Sequence, residues 1–220
     1  NTARNPGDTA PAQAMPTGTA SSGQRPLPPD AIAIVCMRNL VLFPGMILPA
    51  GVGRERSVAA AQEAVRSDRP VGLLLQRDPS QENPQPEGLY WVGTVANVKR
   101  YVTTPDGGHH LVCQGEQRFR VLEFLDGYPF LAARIERVPE DEVASAEMEA
   151  RLIEHRSRAQ EVLELLPEAP AELANPIRGI TSAALLADLV AGFMDLKPEE
   201  KQELLETFDV ATRVAKVLKR

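Results

Sequence analysis

The sequence predicts an α+β fold in two lobes, a partly open β-barrel with one helical interruption followed by an α-helical bundle. From Asp30 to Val138 the apolar residues fall in short, strand-length runs separated by turns containing Gly and Pro. Beyond Pro139-Glu140-Asp141-Glu142 the apolar period lengthens from two to 3.6. Ahead of both, Asn1 to Pro29 is rich in Pro, Ala, Thr, Ser, Gly and Gln, with Met15 and Leu27 its only large apolar side chains. Such a stretch buries too little surface to offset its ordering entropy. Residues 1–29 are therefore expected to be a disordered tail, 30–138 the barrel lobe and 139–220 the helical lobe.

The barrel lobe opens with the apolar run Ile32 to Met37. Leu40-Val41-Leu42-Phe43 then reads as a short strand, Pro44-Gly45 as a turn and Met46-Ile47-Leu48-Pro49 as a second strand. A helix follows from Arg54 to Arg66, with Val58, Ala61 and Val65 on one face. Val71 to Gln76 has the length of a buried strand, and Arg77 to Gly88 is a polar, Pro-containing loop. Leu89 to Tyr101 reads as one long strand in which Gly93 marks a bulge or bend. Pro105-Asp106-Gly107-Gly108 supplies the positive φ that a tight hairpin demands. The return strand runs from His109 to Glu123, with Gly115 as a bending point that helps to close a barrel, and Phe130 to Ile135 completes the set.

In the helical lobe, Met148, Leu152, Ala159, Val162, Leu163 and Leu166 describe one face that stops before Pro167 and Pro170. A second helix, capped by Thr181 or Ser182, buries Leu185, Leu186, Leu189, Val190 and Phe193. Pro198-Glu199-Glu200 places a proline and two acids in the first turn of a third, where the missing donor and the macrodipole favour them; Leu204, Leu205 and Phe208 pack inward. Asp209 caps a last helix whose apolar positions Val214, Val217 and Leu218 run to the chain end without a stop signal, so it reads as a long helix cut short.

The apolar fraction of 43% suits a packed core, and no run approaches the ~20 apolar residues of a membrane-spanning helix. A soluble chain without membrane partners is expected. The chain starts without Met and without a basic stretch leading into an apolar run, so it reads as a piece of something longer. Cys36 and Cys113 are too few and too far apart for a disulfide framework or a paired metal knuckle, and their apolar, strand-like settings predict buried, reduced thiols in a cytoplasmic protein. The net charge of −6 is uneven: 30–138 carries 12 acidic and 12 basic residues, 139–220 carries 17 and 10. Neither lobe has the basic surplus that neutralises phosphates, so nucleic acid is not an expected partner.

Four segments, in this order and spacing, carry a family resemblance: Arg38-Asn39 through Phe43-Pro44-Gly45 with Pro49; Val52-Gly53-Arg54-Glu55-Arg56-Ser57; Tyr90 to Val95 with Gly115 to Val121; and Leu186-Ala187-Asp188-Leu189 with Lys201 to Glu206. Together they resemble the N-terminal region of Lon, the ATP-dependent protease, from about Ile32 to Leu218. Two stretches depart from the pattern: Cys36-Met37 stands where the family usually has Pro-Leu, and Asn175 to Ser182 differs ahead of its helix. The resemblance implies a PUA-like barrel, and a helical lobe leading through a long helix into ATPase and serine-protease modules. It implies a cytoplasmic homo-hexamer acting in protein quality control, with ATP and Mg²⁺ bound outside this chain.

The chain itself has no Gly-x-x-x-x-Gly-Lys-Ser/Thr phosphate loop and no Ser-Lys pairing of the Lon protease type, so no catalytic residue and no cofactor are expected in it. His109 and His110 are strand neighbours that point to opposite faces and cannot chelate one ion together; His155 reads as a solvated helix residue, and Ser57 has no base in its local sequence. Protein binding is the remaining function: misfolded or regulatory substrates, and neighbouring subunits of a hexamer. Leu40, Leu42, Phe43 and Met46 are the candidate apolar contacts, with core burial as their competing role; Arg54, Glu55 and Arg56 are the candidate charged contacts beside them. The alternatives are a free-standing adaptor made only of this domain and an RNA-binding module, which the balanced charge of 30–138 disfavours. Limited proteolysis is expected to cut first before Asp30 and next within Arg77 to Gly88 or near Glu140; early cleavage inside Leu89 to Val98 would contradict the barrel.

Overall fold

The computed structural model describes residues 25–105, 107–140, 180 and 182–220, with the isolated residues 153, 154, 157, 158 and 161. Of the helix expected around Met148 to Leu166 only those five residues are described, each of them helical, and the Asn175 to Thr181 stretch apart from Ile180 lies outside the described residues. In chain order the elements are β1 (Ala31–Met37), β2 (Ile47–Val52), α1 (Glu55–Ser67), β3 (Val71–Leu75), β4 (Val92–Thr103), β5 (His109–Leu125), β6 (Leu131–Val138), α2 (Ala183–Phe193), α3 (Pro198–Glu206) and α4 (Val210–Val217).

The strands form one sheet in the order β2-β5-β4-β3-β1-β6, and β6 pairs with β5 as well. At 17 residues, β5 is long enough to serve two partners in succession. Its first part, His109 to Gln114, lies opposite β2, and Arg118 to Leu125 lies opposite β6. β5 follows β4 through the hairpin, where Thr104 N donates to Gly108 O over 2.8 Å and Gly107 takes φ +84°. β1 is parallel to β3 and antiparallel to β6. The pairings β1-β3-β4-β5-β6 therefore return to β1, giving a partly closed barrel with β2 on its free edge. Register shifts at Val95/Ala96, Val98/Arg100 and Val121/Glu123 supply the local bending that such closure needs.

Strand alternation sends one face of the barrel inward and the other under the helices. Ile32, Ile34, Leu74, Val95, Phe119 and Leu131 belong to the inward cluster. Phe119 is wholly buried, and space for it comes from two glycines. A Cβ on Gly72 would lie 2.9 Å from its ring, and one on Gly93 would lie 2.2 Å from the Leu73 carbonyl oxygen. Gly93 is thus a point of close approach, and the nearest bulge falls at Val95/Ala96. The second cluster joins Val35, Leu73 and Ala132 to α1, to residues 41–46 and to Leu186, Val190, Leu204 and Val214 of the helices.

Two expectations are corrected here. Residues Leu40 to Phe43 are not a strand but an irregular, buried segment, because its backbone finds partners outside any ladder. The Leu42 carbonyl accepts from Thr94 Oγ1 at 2.5 Å, Gly45 N donates to Gly115 O at 3.0 Å and Gly115 N donates to Met46 O at 2.8 Å. In α1 the buried face is Ser57, Ala60, Ala61 and Ala64, with Val65 exposed, since small side chains let the helix approach β1 closely. Residues 26–29, at the end of the expected tail, are held in place: Arg69 donates to the carbonyls of Leu27, Pro28 and Ala31, and Tyr128 to that of Pro26.

The last three helices start where their sequences indicate. The Ser182 side chain accepts from Leu185 N at 3.2 Å, and Asp209 Oδ1 from Thr212 N at 2.8 Å. Pro198 stands in the first turn of α3, where Glu200 reaches back to Lys197 N. Buried positions in α2 are Ala184, Leu186, Ala187, Asp188, Val190 and Ala191; Leu185, Leu189 and Phe193 are half-buried.

Asp188 is the charged residue among them. It is 1% exposed and takes a two-pronged hydrogen bond from Arg118 of β5, itself 1% exposed, at 2.6 and 2.7 Å. Arg118 Nε also donates to the Leu205 carbonyl at 2.9 Å. Arg213 of α4, 0% exposed, stands with its Nε 3.2 Å from Asp188, and Glu140 joins Arg118 to Arg213 at 2.5 and 2.6 Å. Burial pushes the Asp188 carboxyl up, while the bonds and charge of Arg118 and then the charge of Arg213 pull it down. For Arg118 the pull of Asp188 and Glu140 outweighs burial and holds the guanidinium charged. Two cations and two anions close on one another across the barrel and two helices.

Removing one partner strands a buried charge, so Asp188→Ala is expected to lower stability by about 3–5 kcal/mol in urea denaturation. A paired Arg118→Met, Asp188→Leu variant should recover much of that loss. Phe119→Ala is expected to cost about 3–5 kcal/mol by emptying the barrel interior, with the far-UV circular dichroism spectrum retained.

Candidate functional site

Where β1 ends, the chain passes Arg38, Asn39 and Leu40 and then drops into the core. Beside it, the end of β2 turns through Gly53 into α1. These two turns and Glu82, from the loop after β3, enclose a cleft of about 500 Å³. Met37 and Val52 form its buried apolar wall, with Leu40 half-buried at its edge.

Charge enters the cleft from two arginines. Arg38 is exposed and pairs with Glu82 at 2.7 Å. Arg54 stands at the N-cap of α1 in an extended conformation, and no side chain caps that end. Its Nη2 donates to Gln76 Oε1 at 2.5 Å, while its buried Nη1 has no hydrogen-bond partner among the described residues. Gln76 is itself buried and is held in place by donating to the Asp78 and Gln81 carbonyls. Burial lowers the Arg54 pKa, and the like charge of Arg38 lowers it further. Ser57, one turn into α1, lines the cleft at 4% exposure and makes no hydrogen bond with its hydroxyl among the described residues.

Cys36 also reaches this cleft. Burial pushes its thiol up to about 11, outweighing the charges of Arg54 and Arg56. A thiol so held stays protonated near neutral pH and is a poor nucleophile. Cys113, buried on β5 opposite Leu48 of β2, is likewise pushed up to about 11 by burial. The residues lining the cleft include no histidine, and Ser57 has no base beside it. This chemistry suits recognition through hydrogen bonds and charge, not bond breaking.

Of the residues expected to make contacts, Leu40 and Arg54 are brought together in the cleft, while Glu55 is exposed and Arg56 half-buried in the first turn of α1. Leu42, Phe43 and Met46 are at 2%, 0% and 3% exposure and take their competing role as core. Packing explains the burial: α2 lies so close that a Cβ on Gly192 would stand 2.1 Å from Met46 Sδ. Gly45 adopts φ +82°, and a Cβ there would meet the Leu185 side chain at 2.2 Å. Arg38, Cys36, Gln76 and Glu82, none of them among the expected contacts, come to one place from the end of β1, the end of β3 and the loop beyond it. His109 is engaged elsewhere, with Nδ1 2.7 Å from the Tyr101 hydroxyl, and His110 is exposed. Among the described residues no three His, Cys, Asp or Glu side chains gather to hold a metal ion, and no helix is long and apolar enough to cross a membrane.

Comparison with known proteins places this geometry in context. The family model described as the ATP-dependent protease La (LON) substrate-binding domain matches residues 31–220. The Lon protease of Phenylobacterium zucineum is 48% identical over 199 residues, covering 90% of this chain and 25% of the relative. That of Paraburkholderia phytofirmans is 45% identical over 207 residues, covering 94% and 26%. The chain thus spans about a quarter of the length of the curated relatives it matches. In fold it is similar to the N-terminal domain of Mycobacterium avium complex Lon protease, with a TM-score of 0.68 at 23% identity, covering 86% of this chain and 96% of that one. A Lon N-terminal domain protein from Xanthomonas campestris gives 0.60 at 18%, covering 86% and 97%. With the family model matched over all but its first 30 residues and with relatives this similar, the chain belongs to the family of Lon substrate-binding domains.

Proposed function

We propose that this chain is the substrate-recognition region of a Lon-type ATP-dependent serine protease, and that it binds misfolded or regulatory proteins without catalysing any step itself. The observation that carries the reading is the cleft at the β1 and β2 ends, where an apolar wall and two guanidiniums meet beside an uncapped helix start. Apolar surface supplies affinity for exposed hydrophobic side chains, and the charges bias which chains enter. Within that surface Leu40 is the apolar contact and Arg54 the charged one, with Glu55 and Arg56 at the rim toward substrate or a neighbouring subunit.

The parent, on this reading, is a cytoplasmic homo-hexamer whose ATP and Mg²⁺ sites lie on other modules. The barrel is of the PUA-like kind. The end of β6 at Val138 supports a barrel lobe of 30–138 and a helical lobe of 139–220, clamped together by Arg118 and Asp188. A free-standing adaptor would have the same cleft; reading the gene past Arg220 separates the two.

The chain is expected to bind unfolded casein in a fluorescence anisotropy titration. Leu40→Asp should weaken that binding roughly tenfold, about 1.4 kcal/mol, at an unchanged melting temperature. Hydrolysis of ATP or peptide by the purified chain, or salt-dependent binding of RNA in place of casein, would reject the reading.

A further inference from the structure

Among the described residues, Arg54 makes no ion pair, although the charge of Glu82 acts on it from beyond contact distance. Its one side-chain partner, Gln76, is neutral and is fixed by two backbone carbonyls, so it offers no countercharge. The carboxylate within the cleft, Glu82, is already taken by Arg38. The arrangement therefore holds one guanidinium in excess, with the Nη1 donor unused and buried. Leaving such a donor unsatisfied costs stability unless something else accepts from it.

Two further donors converge on the same space. Ser57 lines the cleft, nine-tenths and more buried, with its hydroxyl unpartnered among the described residues. The first turn of α1 begins at Arg54 without a side-chain cap. Backbone N–H groups at a helix start favour a negative group, and Glu55, in that turn but exposed, leaves the cleft itself open. The opposite wall, Met37 and Val52, is apolar.

We infer that this cleft is a carboxylate-binding pocket for bound polypeptide, in which the Arg54 guanidinium and the Ser57 hydroxyl donate to one carboxylate while the adjoining apolar side chain lies against Met37 and Val52. The inference rests on the reading of the chain as a substrate-binding region and adds the chemical class it selects. A carboxylate accepts from a guanidinium and a hydroxyl at once, and charge-assisted bonds in a partly desolvated cleft are about twice as strong as neutral ones. The group comes either from a free C-terminus or from an Asp or Glu side chain.

Dye-labelled heptapeptides of one apolar sequence distinguish these sources in anisotropy titrations against the full chain. One has a free C-terminal carboxylate and one a C-terminal amide; a third pairs the amide with a single internal Asp, and a fourth with Asn in its place. At least one carboxylate peptide is expected to bind about tenfold more tightly than its neutral twin, and the preferred peptide identifies the source. Arg54→Gln should abolish that preference and Ser57→Ala should reduce it about threefold. Should Arg54→Gln fail to fold, Arg54→Lys, which keeps the charge and loses the fork, takes its place beside Ser57→Ala. Equal binding of the twins, or a preference that survives Arg54→Gln and Ser57→Ala, overturns the inference. Unfolded casein titrated in parallel separates the two levels: casein binding without carboxylate preference overturns the pocket alone, and loss of both overturns the substrate-binding reading with it.

Discussion

The two-pronged bond from Arg118 to Asp188 is the constraint on which the rest of the arrangement depends. It starts on β5, the strand that pairs with β2, β4 and β6, and ends in the middle of α2. Once α2 is fixed there, Leu185 and Gly192 press on Gly45 and Met46. That pressure, with the Gly45 and Gly115 backbone bonds, holds residues 41–46 in the core and leaves Leu40 and Arg38 at the surface. The segment that follows Leu40, at the edge of the cleft, is thus packed under a helix that a charge pair in another part of the molecule holds in place.

The molecule uses arginine in two opposite ways. Around Asp188 two guanidiniums face two carboxylates, and every charge in the cluster is answered. Coulomb attraction in a poorly solvated setting repays the loss of water only under such matched geometry. Around the cleft the answer is incomplete, because Arg54 has an amide where Arg118 has a carboxylate. One cluster is closed and orders the fold, and the other is left open on a surface.

Much of this architecture was legible in the residues. Pro105 to Gly108 announced the hairpin, Ser182 and Asp209 the helix starts, and Pro198 the first turn of α3, because each acts through local backbone chemistry. The segment Leu40 to Phe43 misled, since an apolar run looks the same whether a ladder or a covering helix buries it. In α1 the valines drew attention, whereas the alanines make the close contact. Asp188 offered a signal that went unused: it is the charged residue in an otherwise apolar eleven-residue helix, and such a residue needs a buried partner. That the partner is Arg118 was invisible, because the two lie 70 positions apart and Arg118 sits on a strand face that periodicity alone assigns to solvent. The cleft was half visible for the same reason: Leu40 and Arg54 were singled out, but Gln76 and Glu82 come from a loop that only the fold brings near.

The free edge at β2 has a further consequence. On the proposed function, a surface that receives unfolded polypeptide stands beside a strand with one edge unpaired among the described residues, which is the geometry that seeds intermolecular sheets. Here the edge is six residues long and carries Pro49, which has no N–H, so the row of donors along it is broken. A visiting chain can be held by its side chains without being stitched on as a seventh strand, and release therefore does not require a ladder to be unzipped.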